Sequence, residues 1–236
     1  MTAISSDAIE HLVQLATHAP SVHNTQPWTV RRRSSGLLLQ RDRSRQLEVL
    51  DPTGRELLIS CGTLLHHVEV AGRAMSLDAT ITVNLVGDGV AEIGLAPGRP
   101  ATESEIDAGT AILHRHTHRG RYEDEGVSAD DLALLETAAQ GQGGLLRLVR
   151  DKELTEVEVL LSRAEQALHR IEGYDQELAR WVWGDGDAER SDGLPDEAVE
   201  HGQGRAESLQ GRWFVSPAER PGEPPAAERP TVVVLS

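Results

Sequence analysis

Apolar positions recur at helical spacing in the first segment, where Ile9, Leu12, Val13 and Ala16 share one face. The pattern predicts a helix over Ser5 to Ala19. Ser5, Ser6 and Asp7 offer capping side chains, Asp7 and Glu10 stand at capping-box spacing, and Pro20 ends the helix. The period then shortens to two: Thr29 to Arg33 and Leu37 to Arg41 predict a hairpin around Ser34-Ser35-Gly36. Leu57, Leu58, Cys61, Leu64, Leu65, Val68 and Ala71 form a broad stripe, which predicts a central core helix from about Gly54 to Met75, capped by Thr53 or Asp51. Alternation at Ala79, Ile81, Val83 and Leu85, and then Val90 to Leu95, predicts two strands joined across Gly87-Asp88-Gly89.

Beyond residue 100 the pattern predicts a helix from Thr102 to about His114, with Thr102 and Glu105 as its capping box, and another from Ser128 to Ala139, capped by Ser128. Leu145 to Val149 reads as a strand and Glu153 to Trp183 as a long helix with Gly173 as its candidate break, anchored by Trp181 and Trp183. From Gly184 to Pro230 the chain is rich in glycine, proline and acidic residues, with Trp213 and Phe214 its only bulky anchors, and reads as a mobile arm or lid. Thr231 to Ser236 reads as a strand buried on both faces, and its place at the end leads us to expect a missing C-terminal part. Strands and helices mix without the repeated βαβ of a Rossmann domain, so the expected class is α+β.

Charge narrows the range of partners. The 236 residues carry a formal net charge of −15, which repels phosphate backbones and anionic lipid; nucleic-acid and membrane partners are not expected. Cys61 is the only cysteine, which excludes an internal disulfide and an all-Cys metal site. Lys152 is the only lysine, and no phosphate-binding P-loop is present. The start of the chain lacks the character of a signal peptide and no run is long enough to span a bilayer, so a cytoplasmic location is expected.

The densest chemistry lies in Ala19-Pro20-Ser21-Val22-His23-Asn24-Thr25-Gln26-Pro27-Trp28. Its amides and hydroxyls can donate and accept at once, so it can read the edge of a heterocycle such as an isoalloxazine. The same residues can equally form a capped loop making only local turns.

This string resembles the P-S-x-x-N-x-Q-P-W motif of the nitroreductase family of FMN-dependent oxidoreductases, in a version similar to its Acg-type branch. Asp51 to Leu57 with Ile59 to Gly62, the R-x-[ST]-x-R element Arg115-His116-Thr117-His118-Arg119, and Asp192-Gly193-Leu194-Pro195 with Trp181 upstream resemble the same branch. The resemblance implies a nitroreductase-like α+β fold: an antiparallel sheet with long packed helices, built as a fused pseudo-dimer whose second half is incomplete. It implies a first half over 1–100, the start of a second over 101–183, the arm over 184–230 and a second-half strand over 231–236. It further implies FMN, with Pro20, Ser21, Val22 and Asn24 lining the ring and Gln26 in support. Arg115, Thr117 and Arg119 would grip the phosphate, chemistry suited to guanidinium forks and a hydroxyl. NAD(P)H would be the electron donor and a nitroaromatic or quinone-like small molecule the acceptor, with no catalytic side chain required. Self-association or a partner chain would complete the second half. The alternatives are a flavin-sequestering protein without turnover and a degenerate fragment that binds nothing.

Other constellations are weaker. His114, His116 and His118, with His66 and His67, suggest a metal, but the flanking arginines repel a cation. Ser21, His23 and Asp51 lack the G-x-S-x-G elbow of a hydrolase. Cys61 falls in the apolar stripe and reads as a buried, inert thiol.

Overall fold

The computed structural model describes residues 4–34, 36–118, 126–184, 190–195 and 231–236. They fall into two units, one of residues 1–118 with 180–194, the other of 119–179 with 195–236.

The first unit is built on one antiparallel sheet. Strands β1 (Trp28–Arg33), β2 (Gly36–Arg41), β3 (Leu77–Val83) and β4 (Gly89–Pro97) lie in the order β1-β2-β4-β3. The first hairpin pairs Trp28 with Arg41 and Arg33 with Gly36. Its alternation works as the sequence requires: Leu37 and Leu39 turn inward and meet Val90 and Ile93 of β4 in the core. Leu85, expected to extend β3, lies past its end and is exposed.

Among the described residues three α-helices complete this unit: α1 (Ser6–Ala16), α2 (Arg55–Ala74) and α3 (Glu103–His114). The cap of α1 is Ser5, whose hydroxyl accepts from the Ala8 amide, rather than the Asp7–Glu10 pair. Gly54, not Thr53 or Asp51, immediately precedes α2; its φ of 74° suits a residue without a Cβ. Asp51 still serves the helix start, because its buried carboxylate accepts from the Leu57 amide at 2.9 Å. Helix α3 opens with the expected reciprocal box between Thr102 and Glu105. Leu57, Cys61, Leu64, Val68 and Ala71 are buried, so the stripe of α2 is the centre of the core.

In the second unit α4 (Ala129–Gly141) is capped by Ser128, and β5 (Leu146–Leu148) is followed by α5 (Asp151–Leu168) and α6 (Tyr174–Ala179). The long helix expected up to Trp183 therefore ends early: Gly173, at φ 86°, separates α6 from α5. Trp183 lies instead on β6 (Val182–Trp183), in the second stretch of the first unit, paired with β7 (Leu194–Pro195). The closing strand, β8 (Val233–Leu235), pairs antiparallel with β5, Leu146 opposite Leu235. It is exposed along its length, not buried on both faces as expected. No helix among the described residues is long and apolar enough to cross a membrane. The expected arm falls largely on 185–189 and 196–230, which lie outside the described residues, as do Trp213 and Phe214.

Candidate functional site

The amide-rich stretch folds as a tight corner against one face of α2. Val22 donates its amide to Ser60 Oγ at 3.3 Å, and Thr63 Oγ1 donates to the Pro20 carbonyl at 2.6 Å. Ser21 Oγ accepts from the Gln26 amide across the corner. A short 3-10 turn, Val22–Asn24, tightens it. His23, Asn24 and Gln26 have φ of 47°, 53° and 47°, an unusual density of non-glycine residues in the left-handed region. Such backbone persists only where its surroundings over-determine it, and it concentrates at ligand sites.

Those surroundings include a distant part of the chain. Asn24 Nδ2 donates to the Gly193 carbonyl, and the Gly193 amide donates back to the Asn24 carbonyl, both at 3.0 Å. Gln26 Nε2 donates to the Ser191 carbonyl. Arg45 Nη1 bridges the Thr25 carbonyl at 2.9 Å and Asp192 Oδ2 at 2.7 Å. Burial opposes ionisation of Asp192, but hydrogen bonds from Arg45 and Arg190 outweigh it and hold the carboxyl below its usual range. Gly193 itself is at φ 75°, and a Cβ there would stand 2.8 Å from the Trp181 carbonyl oxygen. Trp183 Nε1 donates to the Asp192 carbonyl, so the short β6–β7 pair props the segment that clasps the corner. Gln26, Trp28, Arg45 and Asp192 also line a cleft of about 250 Å³ with Val13 and Thr17 of α1 and its end.

Of the residues singled out in the sequence, Pro20, Ser21, Val22, Asn24 and Gln26 thus come together at one corner. The side-chain amides of Asn24 and Gln26 point to residues 191–193. Arg115 and Thr117 follow α3 in the same unit, both exposed, with Arg115 Nη1 3.4 Å from Thr117 Oγ1. Arg115 forms no ion pair among the described residues, although the chain is strongly acidic. Arg119 lies outside the described residues.

The sequence reading missed the supports. Ser60 and Thr63 stand at i and i+3 on α2, in a polar line beside an apolar stripe that continues to His67 at i+7, and that spacing was the available signal. Cys61, next to this line, is fully buried; burial pushes its thiol up to about 12, with Arg41 acting the other way. It is inert at neutral pH.

No family model matches the chain. It is 34% identical over 181 residues to "Putative NAD(P)H nitroreductase Rv3131" of Mycobacterium tuberculosis, a match covering 75% of this chain and 51% of that protein. It is 29% identical over 209 residues to "Putative NAD(P)H nitroreductase acg" of the same organism, covering 84% of this chain and 60% of that one. "Uncharacterized protein Rv3127", also from that organism, is 29% identical over 180 residues. The chain spans about half the length of the curated relatives it matches. The α+β architecture with its antiparallel sheet fits a nitroreductase-like fold. By these similarities the chain belongs to the nitroreductase family, with the Acg protein among its relatives.

Proposed function

We propose that this chain is a nitroreductase-type oxidoreductase that binds FMN, takes electrons from NAD(P)H and passes them to a nitroaromatic or quinone-like acceptor. The observation that carries the reading is the strained corner at His23, Asn24 and Gln26, fixed from α2 on one side and from residues 191–193 on the other. Strain so heavily supported favours a pre-organised binding surface over a casual turn.

The residues present fit the cofactor chemically. Arg115 offers a guanidinium without a carboxylate among the described residues, and Thr117 a hydroxyl, a donor set suited to a phosphate dianion; Arg119 joins them on this reading. Pro20, Ser21 and Val22 supply the surface for the ring, Asn24 a carboxamide oxygen still able to accept, and Gln26 braces the corner. FMN, when bound, supplies the two-electron chemistry. The chain's task is to hold the group, orient its edge and exclude water; no side chain need move a proton. The fused pseudo-dimer with halves over 1–100 and 101–183, and completion of the second half by self-association or a partner chain, belong to the same proposal.

One observation favours sequestration as a second reading: the amides of Asn24 and Gln26 are engaged by residues 191–193. The two readings separate in one experiment. The purified protein with FMN is mixed rapidly with NADPH and with NADH, and absorbance near 450 nm is followed. Bleaching supports the reductase; a bound flavin that stays oxidised supports sequestration; failure to bind FMN overturns both. Arg115→Ala is expected to weaken FMN binding by about 1.5–3 kcal/mol, the scale of a charge-assisted hydrogen bond. Fluorescence quenching of FMN measures it, and unchanged affinity removes the phosphate assignment.

A further inference from the structure

His67 of α2 is a buried imidazole used by neither the corner nor its clasp. It is 8% exposed, and its Nδ1 is buried without a hydrogen-bond partner. A buried polar atom left in this state costs stability and calls for a reason.

Its position follows from helix geometry. Ser60, Thr63 and His67 lie on one face of α2. Ser60 receives Val22 and Thr63 holds Pro20, so the chain runs back along this face and brings His18 towards His67. On the other side, Arg73 near the end of α2 pairs with Glu105 in the first turn of α3. A Cβ at Gly109 would collide with that of Ala74, so α3 lies against the end of α2. Arg115, at the C-cap of α3, comes level with His67 if α3 runs back along α2, a rise of about 9 Å from Gly109.

The charged groups that act on His67 agree with that placement: Arg115 after α3, His66 on α2 and His18 after α1, all basic, with no carboxylate among them. Burial first, then Arg115, with His66 and His18 acting in the same direction, lowers its pKa to about 4, so the ring is neutral at pH 7. The C-terminal dipole of α3 accounts for a cation at Arg115. It does not account for a buried, unpartnered imidazole that has an arginine and two further imidazoles, and no carboxylate, acting on it in a chain of net charge −15.

We propose that His67 is a proton-accepting binding residue for a phosphate monoester dianion held at Arg115; the inference rests on the assignment of Arg115 to the flavin phosphate. The dianion reverses the local field. The ring then faces negative charge, takes a proton from solvent at its bare nitrogen, and has both nitrogens as donors. Only an N–H bond forms, and no electrons are transferred. Binding of the phosphate end is therefore coupled to proton uptake, and it tightens as the pH falls from 8 towards 6.

Calorimetry on the full chain tests this, with FMN, riboflavin and inorganic phosphate titrated in two buffers of different ionisation enthalpy at pH 7. The expected result is net proton uptake with FMN and with phosphate, none with riboflavin, and loss of the uptake in His67→Gln. In that variant FMN affinity falls by about five- to tenfold at pH 6.5 while riboflavin affinity is unchanged. Proton uptake with FMN that persists in His67→Gln overturns the inference and leaves the Arg115 assignment intact. If FMN and riboflavin bind alike and Arg115→Ala changes neither, the flavin assignment fails. The inorganic phosphate arm then decides: a downfield shift of the His67 ring resonance in wild-type NMR supports an anion site for free phosphate, and no shift overturns it. The wild-type resonance also decides the matter if His67→Gln does not fold.

Discussion

Helices α2 and α5 are similar in length and equally legible as helices, yet their fates differ. Eight residues of α2 are buried, among them Leu57, Cys61, Leu64 and Val68. Of α5 only Leu154 is buried, while Val159, Leu160 and Leu161 are exposed, Leu160 by 64%. Helix α4 behaves like α5, with Leu134 and Leu135 exposed. The difference lies in what each helix meets. Helix α2 has a four-stranded sheet and two helices to pack on, whereas the unit holding α5 has, among its described residues, a two-stranded ladder and short helical pieces. Amphipathic spacing specifies a helix; only a complementary surface turns it into core.

That contrast can be broken most sharply by truncating a leucine in each unit. Leu64→Ala should destabilise by about 3–4 kcal/mol, the cost of a cavity at a fully buried site, measured by urea unfolding. A loss below about 1 kcal/mol would show that α2 is not the centre of a packed core.

The next effect is carried by pH. The folded pKa of His67 is lowered to about 4 against an ordinary value of 6.5, so the unfolded chain binds more protons in that window. Stability is therefore fully present above about pH 6.5 and falls as the pH drops towards 4, by roughly 2–3 kcal/mol from this residue. Unfolding free energies across pH 4–7 should fall more steeply with acid in wild type than in His67→Gln; equal pH dependence would remove this assignment.

Helix starts sharpen the comparison, since both units have one. Thr102→Ala removes a reciprocal box in the first unit and should cost about 1 kcal/mol, and Ser128→Ala in the second should cost a similar amount. Equal values would show that local capping is independent of core quality; hydrogen exchange at the first turns reads each helix separately. The smallest effect is expected at Leu161→Ala, within about 0.5 kcal/mol, because its side chain is exposed. A larger loss would mean that the face of α5 is covered in solution.

Local rules in the sequence carried most of the first unit. Period-two alternation at Leu37 and Leu39, the stripe of α2 and the Thr102–Glu105 box each depend on neighbours a few residues away. The end of α5 was not legible, because Gly173 signals a break whose length the sequence leaves open, and Trp183 then joined a strand. The exposure of Val233–Leu235 was invisible for a similar reason: an apolar run states what it prefers, not what is there to cover it. At the site, the corner from Pro20 to Trp28 stood out by composition. Its anchors did not, since the Asn24–Gly193 and Arg45–Asp192 bonds join positions 169 and 147 residues apart.

That separation imposes an order on biosynthesis. The corner leaves the ribosome early, and the residues that lock it follow about 165 positions later. At translation rates of about 5–20 residues per second, the loop waits roughly ten to thirty seconds for its fastening. Until then its left-handed residues lack the bonds from residues 191–193, so in the nascent chain the sheet and α2 can assemble while the corner is held from one side only, and the corner is the last part of its unit to be fastened.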